Sequence, residues 1–235
     1  ELRGADLARL AGDAAALSAR YRERRAPEAL SPALAAAYAL VRMPATYGAA
    51  AAALGALAER LPGLAPASLL DAGAGTGAML WAAAARWPAL GAATLLERDH
   101  AMADMGRRLA ARGRRPILGG AEWRRADLNG PWAAGPHDLV TAAYLLGELP
   151  EGRRAELVEK LWERESMALV LIEPGTPAGW ATIRAAREQL RAAGAWLVAP
   201  CPHQGPCPMP ADDWCHFAQR IERSRAHRAA KGAAL

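Results

Sequence analysis

Outside one short window this sequence contains no cysteine. Its three cysteines all lie between Cys201 and Cys215, and an odd number so tightly grouped excludes a disulfide framework. Uninterrupted apolar runs of about 18 residues, the length a membrane-spanning helix takes, are also missing. The alanine-rich stretch Ala49–Leu57 is too short and too weakly apolar to serve as one. No secretory leader is visible. Lysine is nearly absent, since almost all of the 29 basic residues are arginine. Together these absences argue against a secreted disulfide scaffold and an integral membrane protein. They leave a soluble protein of a bacterial cytoplasm or, in a eukaryote, the mitochondrial matrix. Because the chain opens on Glu1 rather than Met, we expect residues before it.

What is present suits one α/β domain with additions: 235 residues, against about 100–200 for a typical domain. Hydrophobic residues make up 52% of the chain, enough for a substantial core, and the many alanines favour helices in close contact. The net charge of +5 permits a polyanionic partner without establishing one. The Arg and Ala bias is equally what a GC-rich genome produces.

Residues 1–62 read as a helical region. Ala5–Arg24 carries apolar residues at helical spacing. Ser31-Pro32 has the form of an N-cap followed by proline in the first turn, opening a helix through Val41. Arg42–Tyr47 interrupts it, and another helix runs to about Leu61. From 63 to 199 short apolar runs alternate with helical stretches. We expect strands at Ser68–Asp71, Ala93–Glu97, Arg115–Leu118, His137–Ala142, Met167–Glu173 and Ala195–Ala199. Such alternation predicts a parallel sheet covered on both faces, with ligands at the carboxyl ends of its strands. The third part, 200–235, begins with a proline-rich segment that admits no regular element, and Asp213–Ala230 then reads as a basic helix. With no seventh strand in sight, we expect the natural chain to continue past Leu235.

The first strand ends in Asp71-Ala72-Gly73-Ala74-Gly75-Thr76-Gly77. Glycines here let the backbone turn sharply and approach a ligand, and the amides at the helix start suit an anionic group. Glu97, twenty residues after Gly77 at the tip of the second strand, can accept hydrogen bonds from a ribose diol. The glycines do not form the G-x-G-x-x-G pattern of a dinucleotide binder, and Asp71 stands ready to position an amino group. Both details favour S-adenosylmethionine. Asp71, Gly73, Ala74, Gly75, Gly77, Glu97, Asp127 and Tyr144 are therefore the expected cofactor-binding residues. Asp127 sits where it can receive an adenine amino group or stand as a solvated loop residue. Glu148, just past the fourth strand, faces the reaction end or caps the next helix. Glu148, Glu173 and Tyr144 are the nearest candidates for a base, and none is an evident one.

Cys201, Cys207 and Cys215 follow a C-x5-C-x7-C spacing, clamped by Pro202, Pro206 and Pro208. Three soft donors in fifteen residues predict a metal centre. Zinc would take a fourth Cys or His, with His203, His216 and His227 available, and an iron–sulfur cluster usually takes four thiolates. Spacing alone does not choose between them. Downstream, Arg220, Arg223, Arg225, Arg228 and Lys231 recur every two to three residues, as a phosphate-contacting stripe or as a solvated helix face.

Four blocks of this sequence resemble one known family. They are Arg42-Met43-Pro44-Ala45-Thr46-Tyr47; the loop from Asp71 to Gly77; Cys201-Pro202-His203 with Cys207-Pro208; and Trp214-Cys215-His216-Phe217 leading into the basic stretch. The family is the methyltransferase-like proteins of the mitochondrial small ribosomal subunit and their bacterial relatives. The resemblance implies a Rossmann-like class I methyltransferase fold with an N-terminal helical cap and a C-terminal cysteine-rich metal-binding extension. It further implies S-adenosylmethionine binding, attachment to the small ribosomal subunit and its RNA during assembly, no membrane association, and a monomer when off the ribosome. It also implies a 4Fe–4S cluster on four cysteines, of which Cys201, Cys207 and Cys215 match three and the fourth lies downstream of Leu235. Three functions follow as candidates: a methyltransferase acting on small-subunit ribosomal RNA, a non-catalytic assembly factor that keeps the cofactor pocket, or a small-molecule methyltransferase with a structural zinc.

Overall fold

Ser31 opens the first fully described helix as the sequence predicts: its hydroxyl accepts from the Leu34 amide at 3.2 Å, with Pro32 in the first turn. The computed structural model describes residues 9, 10, 12, 13, 15, 16, 29–210 and 212–230. Most of the expected Ala5–Arg24 helix lies outside them; the six described residues within it are helical. Helix α1 spans Pro32–Val41 and α2 spans Met43–Arg60. The interruption between them is narrower than Arg42–Tyr47. Only Arg42 breaks the path, because Pro44 sits in the first turn of α2, where its missing N–H costs no helical bond.

Five strands follow: β1 Ser68–Ala72, β2 Ala92–Glu97, β3 Glu122–Arg125, β4 His137–Ala143 and β5 Glu165–Ile172. They form one sheet in the order β3-β2-β1-β4-β5, every pairing parallel. The remaining helices are α3 Ala78–Arg86, α4 His100–Ala110, α5 Pro116–Gly120, α6 Glu151–Trp162, α7 Pro177–Ala192 and α8 Arg225–Ala230. Alternation along the strands divides the core in two. Leu69, Leu95 and Leu139 point to one face, under Leu54 and Leu57 of α2 and Leu80 and Ala83 of α3. Leu70, Leu96 and Val140 point to the other, against Leu157, Val158 and Leu161 of α6 and Ala186 of α7. This is the doubly wound, Rossmann-like sheet the alternation predicted, and its strand order reverses between β1 and β4, where such sheets bind ligands.

Three expected elements take another form. Residues 115–118 are not a strand: Pro116 starts the short helix α5, which buries Ile117 and Leu118. The third strand falls at Glu122–Arg125 instead, paired to β2 from Thr94 to Glu97. Its polar sequence hides it from a pattern search, but an edge strand needs little burial, and Trp123 holds it by packing where any Cβ on Gly106 would collide with the ring. Residues 195–199 form no strand. The Gln204 side chain donates to the Leu197 carbonyl and accepts from its amide, at 3.3 and 3.2 Å, and so replaces a ladder partner. Of the expected 213–230 helix only α8 is helical. The residues before it are stretched across the surface by contacts at both ends: Trp214 Nε1 donates to the Gly175 carbonyl at 3.3 Å, and Ile221 packs over Gly48.

Among the described residues no helix is long and apolar enough to cross a membrane. Leu139→Ala, at a fully buried central-strand position, is expected to lower unfolding free energy by about 2–5 kcal/mol. Met167→Ala, half exposed on β5, should change it by less than about 0.5 kcal/mol; urea denaturation followed by circular dichroism measures both.

Candidate cofactor cleft

The turn after β1 is held open by its own backbone chemistry. The amides of Gly73 and Ala74 both donate to the Leu96 carbonyl, at 2.9 and 3.0 Å. Gly73, Gly75 and Gly77 all have positive φ, at 72°, 56° and 85°, a region in which L side chains are strained. The Gly75 amide donates to Glu97 Oε2 at 2.7 Å, while Glu97 Oε1 accepts from the Asp99 amide at 2.8 Å. Asp99 extends the relay. Its Oδ1 caps α4 by accepting from Met102 N at 2.9 Å, and its Oδ2 accepts from Leu30 N at 2.7 Å, clasping the N-terminal helices to the sheet.

Gly73, Gly75, Glu97, Asp127 and Tyr144 all line one cleft of about 1330 Å³ at the carboxyl ends of the strands. The structure thus gathers five of the eight expected cofactor residues onto one surface. Asp71, Ala74 and Gly77 stand behind it, Asp71 and Ala74 buried. Asp127 is exposed, and its Oδ1 accepts from the amide and side chain of Asn129 at 3.0 and 3.2 Å. Tyr144 holds φ at 59°, a conformation uncommon for a bulky residue.

Asp71 is 1% exposed. Thr141, directly across from it on β4, donates to its Oδ1 at 2.9 Å. Its Oδ2 has no partner among the described residues, and neither has the buried Thr76 hydroxyl in the glycine turn. Burial pushes the Asp71 carboxyl from 3.8 up to about 7, against the Thr141 hydrogen bond and with help from the negative Glu97. Asp71 Oδ2 and the Thr76 hydroxyl both lie beside the positive-φ glycine turn.

At the other end of the cleft the acidic residues differ in role. Glu173 is clamped, its Oε1 and Oε2 accepting from the amides of Leu146 and Gly147 at 2.8 and 3.3 Å. It shapes the turn after β4 rather than standing free as a base. Glu148 does not cap α6, which has no side-chain cap. Its side chain keeps 40% of its surface, yet the cleft walls desolvate it and push its pKa to about 7, with Arg98 pulling the other way from 4.0 Å. Sequence reasoning missed the clasp at Asp99, although an Asp directly before a helix is a capping signal. It also missed Tyr38, which lines the cleft from α1; an apolar-looking helix gives no sign of which face meets a site.

The cysteines lie on one surface segment, Cys201 exposed and Cys207 and Cys215 partly buried. Burial first, and then Cys201 and Cys207 nearby, push the Cys215 thiol up. Arg187 of α7 fixes this segment through the carbonyls of His203 and Gly205, at 3.3 and 2.8 Å. Among the described residues no three His, Cys, Asp or Glu side chains are grouped closely enough to hold a metal. Arg220, Arg223, Arg225 and Arg228 are exposed, and Lys231 lies outside the described residues.

Asp71 gives a pH test. Because its folded pKa is raised, the folded protein keeps a proton that the unfolded chain has released between about pH 4 and pH 7. That contribution favours the fold at low pH and is lost as pH rises through about 7. Asp71→Asn should therefore flatten the decline in melting temperature between about pH 4 and pH 7, and melt higher than the wild type above that window.

The family profile described as mitochondrial small ribosomal subunit Rsm22 matches residues 32–235. The human ribosome assembly protein METTL17, mitochondrial, is 31% identical over 196 residues, covering 77% of this chain and 42% of its own length. The chain thus spans less than half of that relative. Among solved structures, the plantazolicin methyltransferase BpumL overlaps with a TM-score of 0.48 at 17% identity, over 80% of this chain and 65% of its own. CalS10, an amino pentose methyltransferase from Micromonospora echinaspora, overlaps with a TM-score of 0.45 at 24% identity, over 56% and 52%. The profile runs from the first turn of α1 through the cysteine segment and α8, so it covers the helical cap, the sheet and the tail together: the chain belongs to the mitochondrial small ribosomal subunit Rsm22 family.

Proposed function

We propose that the cleft binds S-adenosylmethionine and that the chain works as a methyltransferase-like assembly protein of the small ribosomal subunit. The observation that carries the cofactor reading is the buried Asp71 carboxylate with one oxygen unpartnered beside a positive-φ glycine turn. The donor set fits the ligand group by group. Asp71 suits the methionine ammonium, which would draw its pKa back down. Glu97 uses two of its roughly four acceptor sites on Gly75 and Asp99 and keeps others for the ribose hydroxyls. Asp127, exposed at the cleft wall, suits the adenine amino group. When bound, the cofactor supplies a methyl group open to in-line displacement. The chain's own part is to orient donor and acceptor, with Tyr144 and Glu148 at the reaction end. The clamped Glu173 favours a second reading, a binding factor without transfer, because its carboxylate already serves two backbone amides.

The exposed arginines Arg220, Arg223, Arg225 and Arg228 contact ribosomal RNA phosphates. They project from a segment whose apolar side is secured: Ala226 and Ala230 pack against Ala37, Leu40 and Val41 of α1. Cys201, Cys207 and Cys215 supply three ligands of a metal centre, a 4Fe–4S cluster or zinc. Their thiol chemistry suits either, and their number and grouping fall short of a complete site. The protein acts in a bacterial cytoplasm or a mitochondrial matrix.

Calorimetry should detect S-adenosylhomocysteine binding by the chain. Asp71→Ala should weaken it by about tenfold or more, the loss expected for one charge-assisted hydrogen bond. The wild-type affinity should rise as pH goes from 6 to 8, across the Asp71 transition near 7. No uptake by well-folded protein overturns the cofactor reading. Comparing ribosomal RNA methylation with and without the gene separates transfer from binding alone. Iron and zinc analysis with an anaerobic absorption spectrum of the full-length protein identifies the metal. Cys207→Ser should lose it and expose 200–217 to protease while the sheet stays folded; retained metal counts against the centre.

A further inference from the structure

The only phenylalanine in the sequence, Phe217, is 73% exposed. It lies in a strap docked at two points, each next to residues that line the cleft. At one end Trp214 donates to the Gly175 carbonyl, and a Cβ on Gly175 would sit 3.0 Å from His216 Cβ; the neighbouring Glu173, Pro174 and Thr176 line the cleft. At the other end Ile221 lies over Gly48, where a Cβ would meet its Cγ2 at 2.5 Å. One turn earlier on α2, Ala45 and Thr46 line the cleft. Between the docks, residues 216–220 are all exposed. The strap therefore skirts the rim, presenting Phe217 and Arg220 outward, with Arg223 and Arg225 just beyond.

The Trp214 indole stacks on the His216 imidazole, ring centroids 5.8 Å apart and planes 27° from parallel, while 37% of Trp214 stays exposed. Trp214, His216 and Phe217 thus bring three solvent-exposed rings together within four residues. Arg220 and Arg223 follow within a few residues along a segment without helix or strand, a combination that suits a single strand: bases stack on rings, and phosphates meet arginines. A paired helix buries its base faces and cannot use the rings. An acidic protein surface would engage the arginines but leave Phe217 uncovered.

We propose that the strap Trp214–Arg223 is a platform for single-stranded RNA, on which an unpaired base stacks on Phe217 at the mouth of the cofactor cleft. This rests on the RNA contact proposed above and narrows it to unpaired nucleotides. Such a platform delivers a nucleotide already free of its helix to the cleft, where a base still in a duplex could not enter.

Fluorescence anisotropy of the full chain tests this, using a labelled unstructured RNA of about 12 nucleotides, within the length such platforms cover, and a blunt hairpin of the same composition. The single strand should bind about tenfold more tightly. Phe217→Ala should abolish that preference while leaving the hairpin affinity, the salt slope and S-adenosylhomocysteine binding as in the wild type, and Phe217→Trp should keep it. Equal affinity of the wild type for both RNAs, or an unchanged preference in Phe217→Ala, overturns the platform while the phosphate contact stands. Binding of neither RNA overturns the phosphate contact and the platform with it.

Discussion

The carboxylate of Glu97 joins backbones that are far apart in sequence. One oxygen accepts from Gly75 in the glycine turn and the other from Asp99 at the head of α4. Asp99 in turn accepts from Leu30 at the threshold of the helical cap. Through these two side chains the turn after β1, the tip of β2, the start of α4 and the entry to α1 form one connected polar unit. It fixes where the glycine turn lies relative to β2 and α4, because both oxygens of one carboxylate are tied to backbone amides on either side. Hydrogen bonding to a carboxylate is stronger than between neutral groups, and partial burial of Glu97 strengthens it further while pushing its pKa up.

The same low-dielectric setting mutes the acidic character of the cleft. Asp71 and Glu148 are both pushed to about 7, so the site carries fewer charges near neutrality than its residue list suggests. Asp71 is the costlier of the two, being enclosed by the sheet with only Thr141 to satisfy it. A buried acid with one unused oxygen weakens the fold unless a ligand repays it, which ties the energetics of the apoprotein to its proposed function.

The tail shows how a surface segment can be ordered without regular structure. From Cys201 to Ser224 there is no helix or strand among the described residues. Order comes from discrete anchors: Arg187 on the carbonyls of His203 and Gly205, Gln204 on Leu197, Trp214 on Gly175, and Ile221 over Gly48. Two of these anchors, at Gly48 and Gly175, use glycine because a Cβ there would crowd the side chain that docks on it. The cysteines and arginines are thereby held beside the sheet.

The local signals in the sequence determined a good deal. Alternating apolar runs and helical stretches determined the parallel sheet, since burial on both faces demands apolar strands. The spacing of Gly73, Gly75 and Gly77 determined the turn, because positive φ is a local property of residue type. The Ser31-Pro32 pair determined the start of α1 for the same reason. Tertiary structure alone decided where β3 lies, as its polar residues satisfy an edge register set by β2 and a ring set by Gly106. It also decided that residues 195–199 find a side chain instead of a strand, and that the basic segment is mostly stretched instead of helical. In each case the choice was made by partners remote in sequence, whose contacts outweighed a local propensity of a few tenths of a kcal/mol per residue.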